Sequence, residues 1–261
     1  MTIIQTLILS IVEGLTEFLP VSSTAHLVLA LQILGVAQTD FVKSFEVIIQ
    51  LGAILAVVVL YFKELVKNVG LWFKIIIAFL PSAILGFLLY DFIKMRLLGN
   101  GLVTALALIV GGVVFIFIDK IKSAPQKIPN RQVGFNEIST VRLLAIGLSQ
   151  SLAMIPGVSR SAASIFGGML TGLNKNDAVK FSFFLAIPTM LAATTLDLYK
   201  SSFSFSKSEI LLLSFGFIGA FLTAVVAIKS FIKFVQKHTF LPFGIYRIAV
   251  GLFWLLAIIK L

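Results

Sequence analysis

The sequence predicts an all-α integral membrane protein: six transmembrane helices plus two re-entrant helical hairpins, arranged as an inverted-topology repeat. Three observations predict it. Hydrophobic residues make up 59% of the 261 and charged residues only 12%, whereas a soluble domain carries roughly a quarter charged residues. Six apolar stretches are long enough to cross about 30 Å of hydrocarbon at ~1.5 Å per residue. Two further apolar segments are broken at their centres, in corresponding positions of the chain, which is the pattern of half-helices meeting at a membrane midplane.

The first broken segment, near 3–34, is interrupted at Pro20-Val21-Ser22-Ser23, because proline removes a backbone donor and serine caps a new helix start. Its opening MTIIQTLILSIVEG has no Lys or Arg ahead of the apolar run, so it reads as part of the fold and not as a signal peptide. Full spans follow near 41–62, 71–90 and 101–118. The polar stretch 119–140 is the only long hydrophilic connection and reads as a cytoplasmic linker. A second broken segment, near 143–172, is interrupted at Pro156-Gly157-Val158-Ser159. Spans near 178–197, 210–228 and 242–260 complete the chain, with Pro188 expected to kink the first of these.

Pro20 and Pro156, Ser23 and Ser159, and Phe45 and Phe181 are each 136 apart, and one constant offset favours an internal repeat. The halves are 1–122 and 137–261 of a single transmembrane domain, 1–261. Each half holds one hairpin and three spans; three is odd, so hairpins that do not cross leave the second half upside down. Thirteen Lys and Arg lie on the side of the loops after spans one, three and five, against six on the opposite side. By the positive-inside rule the first side is cytoplasmic and both termini face outward.

The net charge of +10 would suggest nucleic acid in a soluble protein. Here the basic residues lie between apolar spans and read as topology signals, so no nucleic-acid partner is expected. The chain has no cysteine, which removes disulfides, thiol catalysis and thiolate metal sites. With only two histidines, His26 and His238, a histidine metal cage is excluded as well.

Ionisable groups at bilayer depth cost a few kcal/mol each, so each needs a partner or a task. Glu13 and Glu17 share one face of the first half-helix and repel unless a proton or cation sits between them. An oxygen-liking divalent ion, Mg²⁺ or Ca²⁺, suits them; a water-filled mouth or a protonated carboxyl is the plainer alternative. Ser22, Ser23 and Thr24 stand at the start of the second half-helix, where free N–H groups and the positive dipole end suit an anion, or where they simply cap the helix. His26 lies three residues beyond Ser23, close enough on that face to hydrogen-bond it and to act as acid or base, though a packing role is the blander reading. Ser159, Arg160 and Ser161 repeat the anion-binding geometry and add a guanidinium fork suited to phosphate. Together these groups suit phosphoryl transfer. Gly168 and Gly172 read as a close-contact pair, Arg247 as a snorkelling residue near a span end, and His238 as a loop residue without a role. Whether Glu46 belongs to the site is open.

The blocks EGLTEFLPVSSTAHL at 13–27, FEVIIQLGAILAV at 45–57 and PGVSRSAASIFGGMLTGL at 156–173 resemble the undecaprenyl-pyrophosphate phosphatase family, also called bacitracin-resistance proteins. The resemblance extends over essentially the whole chain. It implies hydrolysis of undecaprenyl diphosphate to undecaprenyl phosphate at the outer face of the bacterial plasma membrane, which recycles the carrier lipid for peptidoglycan precursors. It carries the family's acidic pair onto Glu13 and Glu17, its Ser-Ser-Thr turn onto Ser22, Ser23 and Thr24, its histidine onto His26, and its second-hairpin pair onto Ser159 and Arg160. Ala25, Val158 and Ala162 depart from the family's STGH and PGTSRSG patterns, and Val158 lacks a hydroxyl that could touch phosphate.

The expected reading is a polyprenyl-diphosphate phosphatase acting on a lipid substrate among membrane lipids. Ser23 is the expected nucleophile, His26 the acid/base, and Glu13 and Glu17 the holders of Mg²⁺ or Ca²⁺. Arg160 and the turn amides, with Ser22, Thr24, Ser159 and Ser161, bind phosphate. Attack by water or by His26 stays open, as does a homodimer. The rival is a phosphorylated-lipid transporter or flippase, since broken helices in inverted repeats are also a transporter layout.

Overall fold

The computed structural model describes residues 1–97, 100–123, 137–200 and 205–260. Most of the expected linker, at 124–136, lies outside the described residues. Every regular element among these residues is helical: α1 Ile3–Thr16, α2 Ser23–Ile33, α3 Asp40–Leu60, α4 Phe62–Lys67, α5 Val69–Leu88, the single-turn α6 Tyr90–Phe92, α7 Gly101–Ser123, α8 Thr140–Ser151, α9 Arg160–Leu170, α10 Lys175–Lys200, α11 Lys207–Lys237 and α12 Leu241–Lys260. Five of them (α3, α5, α10, α11 and α12) are long and apolar enough to cross a membrane, and Tyr90–Leu97 with Gly101–Phe117 makes a sixth when counted as one span. Their outer faces are apolar: Phe73, Phe87, Val110 and Phe253 are all more than half exposed. A water-soluble monomer does not display so much apolar surface. The chain is an all-helical multi-pass membrane protein.

Each expected span coincides with a helix, but α11 runs for 31 residues, well beyond 210–228. A capping box of Ser206 and Glu209 starts it early, and its basic last turns continue the helix past the apolar window. α10 continues through Pro188 without a break. The short α4 was not anticipated, because its six residues are too few to carry a periodic signal.

The broken segments are helix pairs. α1 has 14 residues and α2 11, about 21 and 17 Å of rise, so neither crosses alone; α8 and α9, with 12 and 11, are alike. Within each pair the two helices pack on each other. Ser22 (φ 73°) and Ser159 (φ 75°) are the only non-glycine residues with positive φ among the described residues. Each caps the helix that follows: Ser22 Oγ accepts from the Ala25 amide at 3.4 Å and Ser159 Oγ from the Ala162 amide at 3.2 Å. At the far ends Gly35 and Gly172, both with positive φ, close matching turns in which the Val36 amide donates to Leu31 O and the Leu173 amide to Gly168 O, each at 2.9 Å. This ending requires a left-handed residue, which glycine adopts without strain.

These landmarks correct the register. Ser22 to Ser159 and Gly35 to Gly172 are 137 apart, not 136, and so are Thr2 and Ser139, the residues that precede α1 and α8. The counterpart of Ser159 is therefore Ser22, and Ser23 corresponds to Arg160. Gly168 and Gly172 do not form one contact stripe either: Gly168 faces Ala178 on α10, whereas Gly172 ends α9.

Helix packing brings the hairpins together. α1 and α3 pack on α11, α8 on α5, α9 on α10 and α7 on α12. The α7–α12 approach is close: a Cβ on Gly112 would stand 2.6 Å from the Gly244 carbonyl oxygen, and one on Gly244 2.9 Å from that of Gly112. Contacts also separate two ends of the bundle. At one, Gln5 Nε2 donates to Leu34 O (3.2 Å) and Phe41 meets Phe205; at the other, Lys180 pairs with Glu64 (2.7 Å) and Lys175 donates to His238 O (2.6 Å).

Candidate active site

The two turns are tied to each other by one buried cation. Arg247 on α12 is 0% exposed, and its hydrogen bonds to the described residues all end on main-chain carbonyls. Nη1 donates to Pro20 O and Val158 O, each at 3.0 Å, Nη2 to Gly157 O at 2.8 Å and Ala107 O at 3.3 Å, and Nε to Leu108 O at 3.4 Å. The guanidinium also lies 5.7 Å from the centre of the Phe115 ring. The planar fork can satisfy several acceptors at fixed angles, so it holds the first turn, the second turn and α7 in one arrangement.

On these turns the polar groups of both hairpins converge. Glu17 closes α1, and its Oε2 accepts a 2.5 Å hydrogen bond from Ser23 Oγ, the first residue of α2. Its Oε1 pairs with Arg160 Nη2 at 2.9 Å, with both side chains at most 10% exposed. Arg160 is the first residue of α9, so this ion pair crosses from one hairpin to the other. Arg160 Nη1 donates to Ser182 O on α10 at 2.9 Å, and its guanidinium packs 5.6 Å from the Phe18 ring. Ser161 Oγ ties the same turns by donating to Phe18 O at 2.8 Å. One turn before Glu17, Glu13 is fully buried and neither carboxylate oxygen has a hydrogen-bond partner among the described residues.

Residues 6–253 match the family described as Bacitracin resistance protein BacA. The chain belongs to this family. It is similar over nearly its whole length to curated members named undecaprenyl-diphosphatase. That of Aquifex aeolicus (strain VF5) is 51% identical over 252 residues, 97% of each chain. That of Persephonella marina is 50% identical over 260 residues, 99% of this chain and 100% of the relative, and that of Wolinella succinogenes 48% over 257 residues, 98% of each.

Within this family member, Glu17, Ser23, Arg160 and Ser161 form one connected group, with Glu13 beside it. Ser22 and Ser159 are nearly buried, and their hydroxyls act as helix caps. Thr24 is exposed. His26 is not bonded to Ser23: its Nδ1 lies 2.8 Å from Ser22 O and its Nε2 2.7 Å from the Tyr246 hydroxyl. The spacing was compatible with a Ser23 contact, but the ring turns toward the carbonyl of its own turn and toward α12. Arg247 does not snorkel; it is the most enclosed cation of the site. Its position, six residues into the 242–260 span, was a signal, since a guanidinium so deep needs acceptors around it.

The carboxylates fit a divalent cation. An ionised, buried Glu13 without any donor is costly, and a cation beside it would relieve that cost. Glu17 has both oxygens engaged, yet each keeps a second lone pair. Two carboxylates supply only part of the six or more oxygens such ions take; diphosphate oxygens and water would complete the shell.

Proposed function

We propose that this protein hydrolyses a polyprenyl diphosphate, undecaprenyl diphosphate in bacteria, to the monophosphate and inorganic phosphate. Such an activity recycles the carrier lipid of cell-wall synthesis and underlies bacitracin resistance, in keeping with the family and with the names of its relatives. The observation that carries the reading is the Ser23–Glu17–Arg160 chain: a hydroxyl on a carboxylate whose other oxygen is held by a guanidinium from the opposite hairpin.

Ser23 Oγ attacks the terminal phosphorus and passes its proton to Glu17, the bond to the bridging oxygen breaks, and the prenyl phosphate leaves with that oxygen. Water then cleaves the phosphoserine. Arg160 and the amides opening α2 and α9 stabilise the charge on the transferred group. His26 is the further acid/base. Glu13 and Glu17 would hold Mg²⁺ or Ca²⁺, whose charge would offset that of the diphosphate.

The architecture in this reading is six spans and two re-entrant hairpins in an inverted repeat, supported by the paired caps and glycine ends. Orientation follows from charge: the end with Lys180, Lys175 and His238 is cytoplasmic, both termini lie outside, and the site opens to the outer face of the plasma membrane. The test is phosphate release from a prenyl diphosphate by purified protein in detergent. The parent should release phosphate and Ser23→Ala should not. A parent that releases none overturns the phosphatase reading, and a fully active Ser23→Ala overturns the covalent step.

A further inference from the structure

Tyr246 precedes Arg247 on α12, and its hydroxyl reaches across to α2. Oη lies 2.7 Å from His26 Nε2, and the two rings are nearly parallel, 7° apart with 5.6 Å between centroids. The other ring nitrogen, Nδ1, lies 2.8 Å from Ser22 O. A carbonyl only accepts, so Nδ1 carries a proton. In the neutral ring Nε2 is then the lone-pair nitrogen, and the tyrosine hydroxyl donates to it. In the imidazolium, Nε2 donates and the same hydroxyl accepts. Nδ1 is thus committed to the first turn, and any proton that His26 exchanges with substrate passes through Nε2. Ser23, one helical turn away, is engaged by Glu17.

We propose that Tyr246 is a positioning residue for His26, holding the ring with Nε2 as its working nitrogen until an oxygen of the phosphorylated lipid replaces the hydroxyl. This rests on the phosphatase reading above. Tyr246 is 45% exposed, so Tyr246→Phe opens no core cavity. The substitution keeps the stacked ring and deletes only the bond to Nε2, leaving the Nδ1 bond in place.

The experiment measures kcat and KM with a prenyl diphosphate for the full-length parent, Tyr246→Phe, His26→Ala and the double variant in detergent. Loss of one hydrogen bond to the reacting imidazole is expected to lower kcat by about tenfold with KM nearly unchanged. In the His26→Ala background the same substitution should have no further effect. An equal loss in both backgrounds, or no loss in the parent, overturns the proposal. A second measurement does not depend on turnover. The chain has two histidines, so ¹⁵N labelling with His238→Gln assigns the His26 ring. Tyr246→Phe should move the Nε2 resonance while Nδ1 stays protonated. A hydrolysing parent whose Nε2 does not move overturns the positioning role alone. A parent without hydrolysis overturns the phosphatase reading and the role that rests on it.

Discussion

Arg247→Lys separates two accounts of the same residue. A snorkelling arginine tolerates lysine, because either head group can reach the interface. The structure instead has five hydrogen bonds from one guanidinium to carbonyls of three segments. An ammonium has three donors on a single nitrogen, so at least two of these bonds are lost. At about 1.5–3 kcal/mol for each hydrogen bond to a charged group, that is roughly 3–6 kcal/mol. For a chain of this size each kcal/mol shifts the melting temperature by about 2–4 °C, so a drop on the order of 10 °C is expected. The turns should also move apart, and a displacement near 1 Å costs about 10²-fold in rate. Thermal unfolding of the purified protein in detergent, followed by tryptophan fluorescence, reads the first effect, and phosphate release reads the second. Arg247→Met leaves the Pro20, Gly157 and Val158 carbonyls without their donor and should act in the same direction. If Arg247→Lys melts and turns over like the parent, the clamp is wrong.

Glu17→Gln keeps an acceptor for Ser23 but removes the proposed base, so turnover should fall by about 10²–10⁴-fold; parental turnover would remove Glu17 from the chemistry. In the proposed metal-assisted reaction Glu13→Gln should weaken the sensitivity of phosphate release to EDTA, since it removes one of the two carboxylate charges offered to the ion, and unchanged sensitivity counts against a metal there. For orientation, single cysteines in this cysteine-free chain at Ala37 and Ser139, both exposed, are treated with an impermeant maleimide on intact cells. Label is expected at residue 37 and absent at 139, and the opposite pattern reverses the topology. Gly157→Ala puts a methyl group against Thr104 O at a φ of +95°, a conformation costing other residues at least about 1 kcal/mol, so a parental melting temperature would contradict the need for glycine in the second turn.

The spans were legible because a run of some twenty apolar residues carries its own signal, and the breaks because proline and serine act locally. Arg247 was misread for the opposite reason. Its acceptors are backbone carbonyls at Pro20, Ala107, Leu108, Gly157 and Val158, and a carbonyl is the same at every residue, so nothing in their side chains announces the clamp. The register slipped by one because Pro20 and Pro156 were matched as equivalents, whereas Pro20 stands two residues before its serine cap and Pro156 three. For His26, spacing gave a correct neighbourhood and a wrong partner: Tyr246 is 220 residues away, and no local rule connects them.

The register of 137 also changes how the site is understood. The two turns share a strained serine cap, each with positive φ, a conformation costing of order 1–3 kcal/mol that the surrounding structure must hold in place. At the next position the first turn has Ser23 and the second Arg160; in the helices that lead into the turns, Glu13 of α1 corresponds to Gln150 of α8, both buried. Similar backbones thus present a hydroxyl and carboxylates on one side and a cation on the other. Neither hairpin alone holds the connected group, and the Glu17–Arg160 ion pair exists only where the two meet. Arg247 meets the remaining requirement. With its N–H groups directed at main-chain oxygens, it fixes the separation of the turns without competing for Glu17, and Arg160 is left as the cation that pairs with that carboxylate.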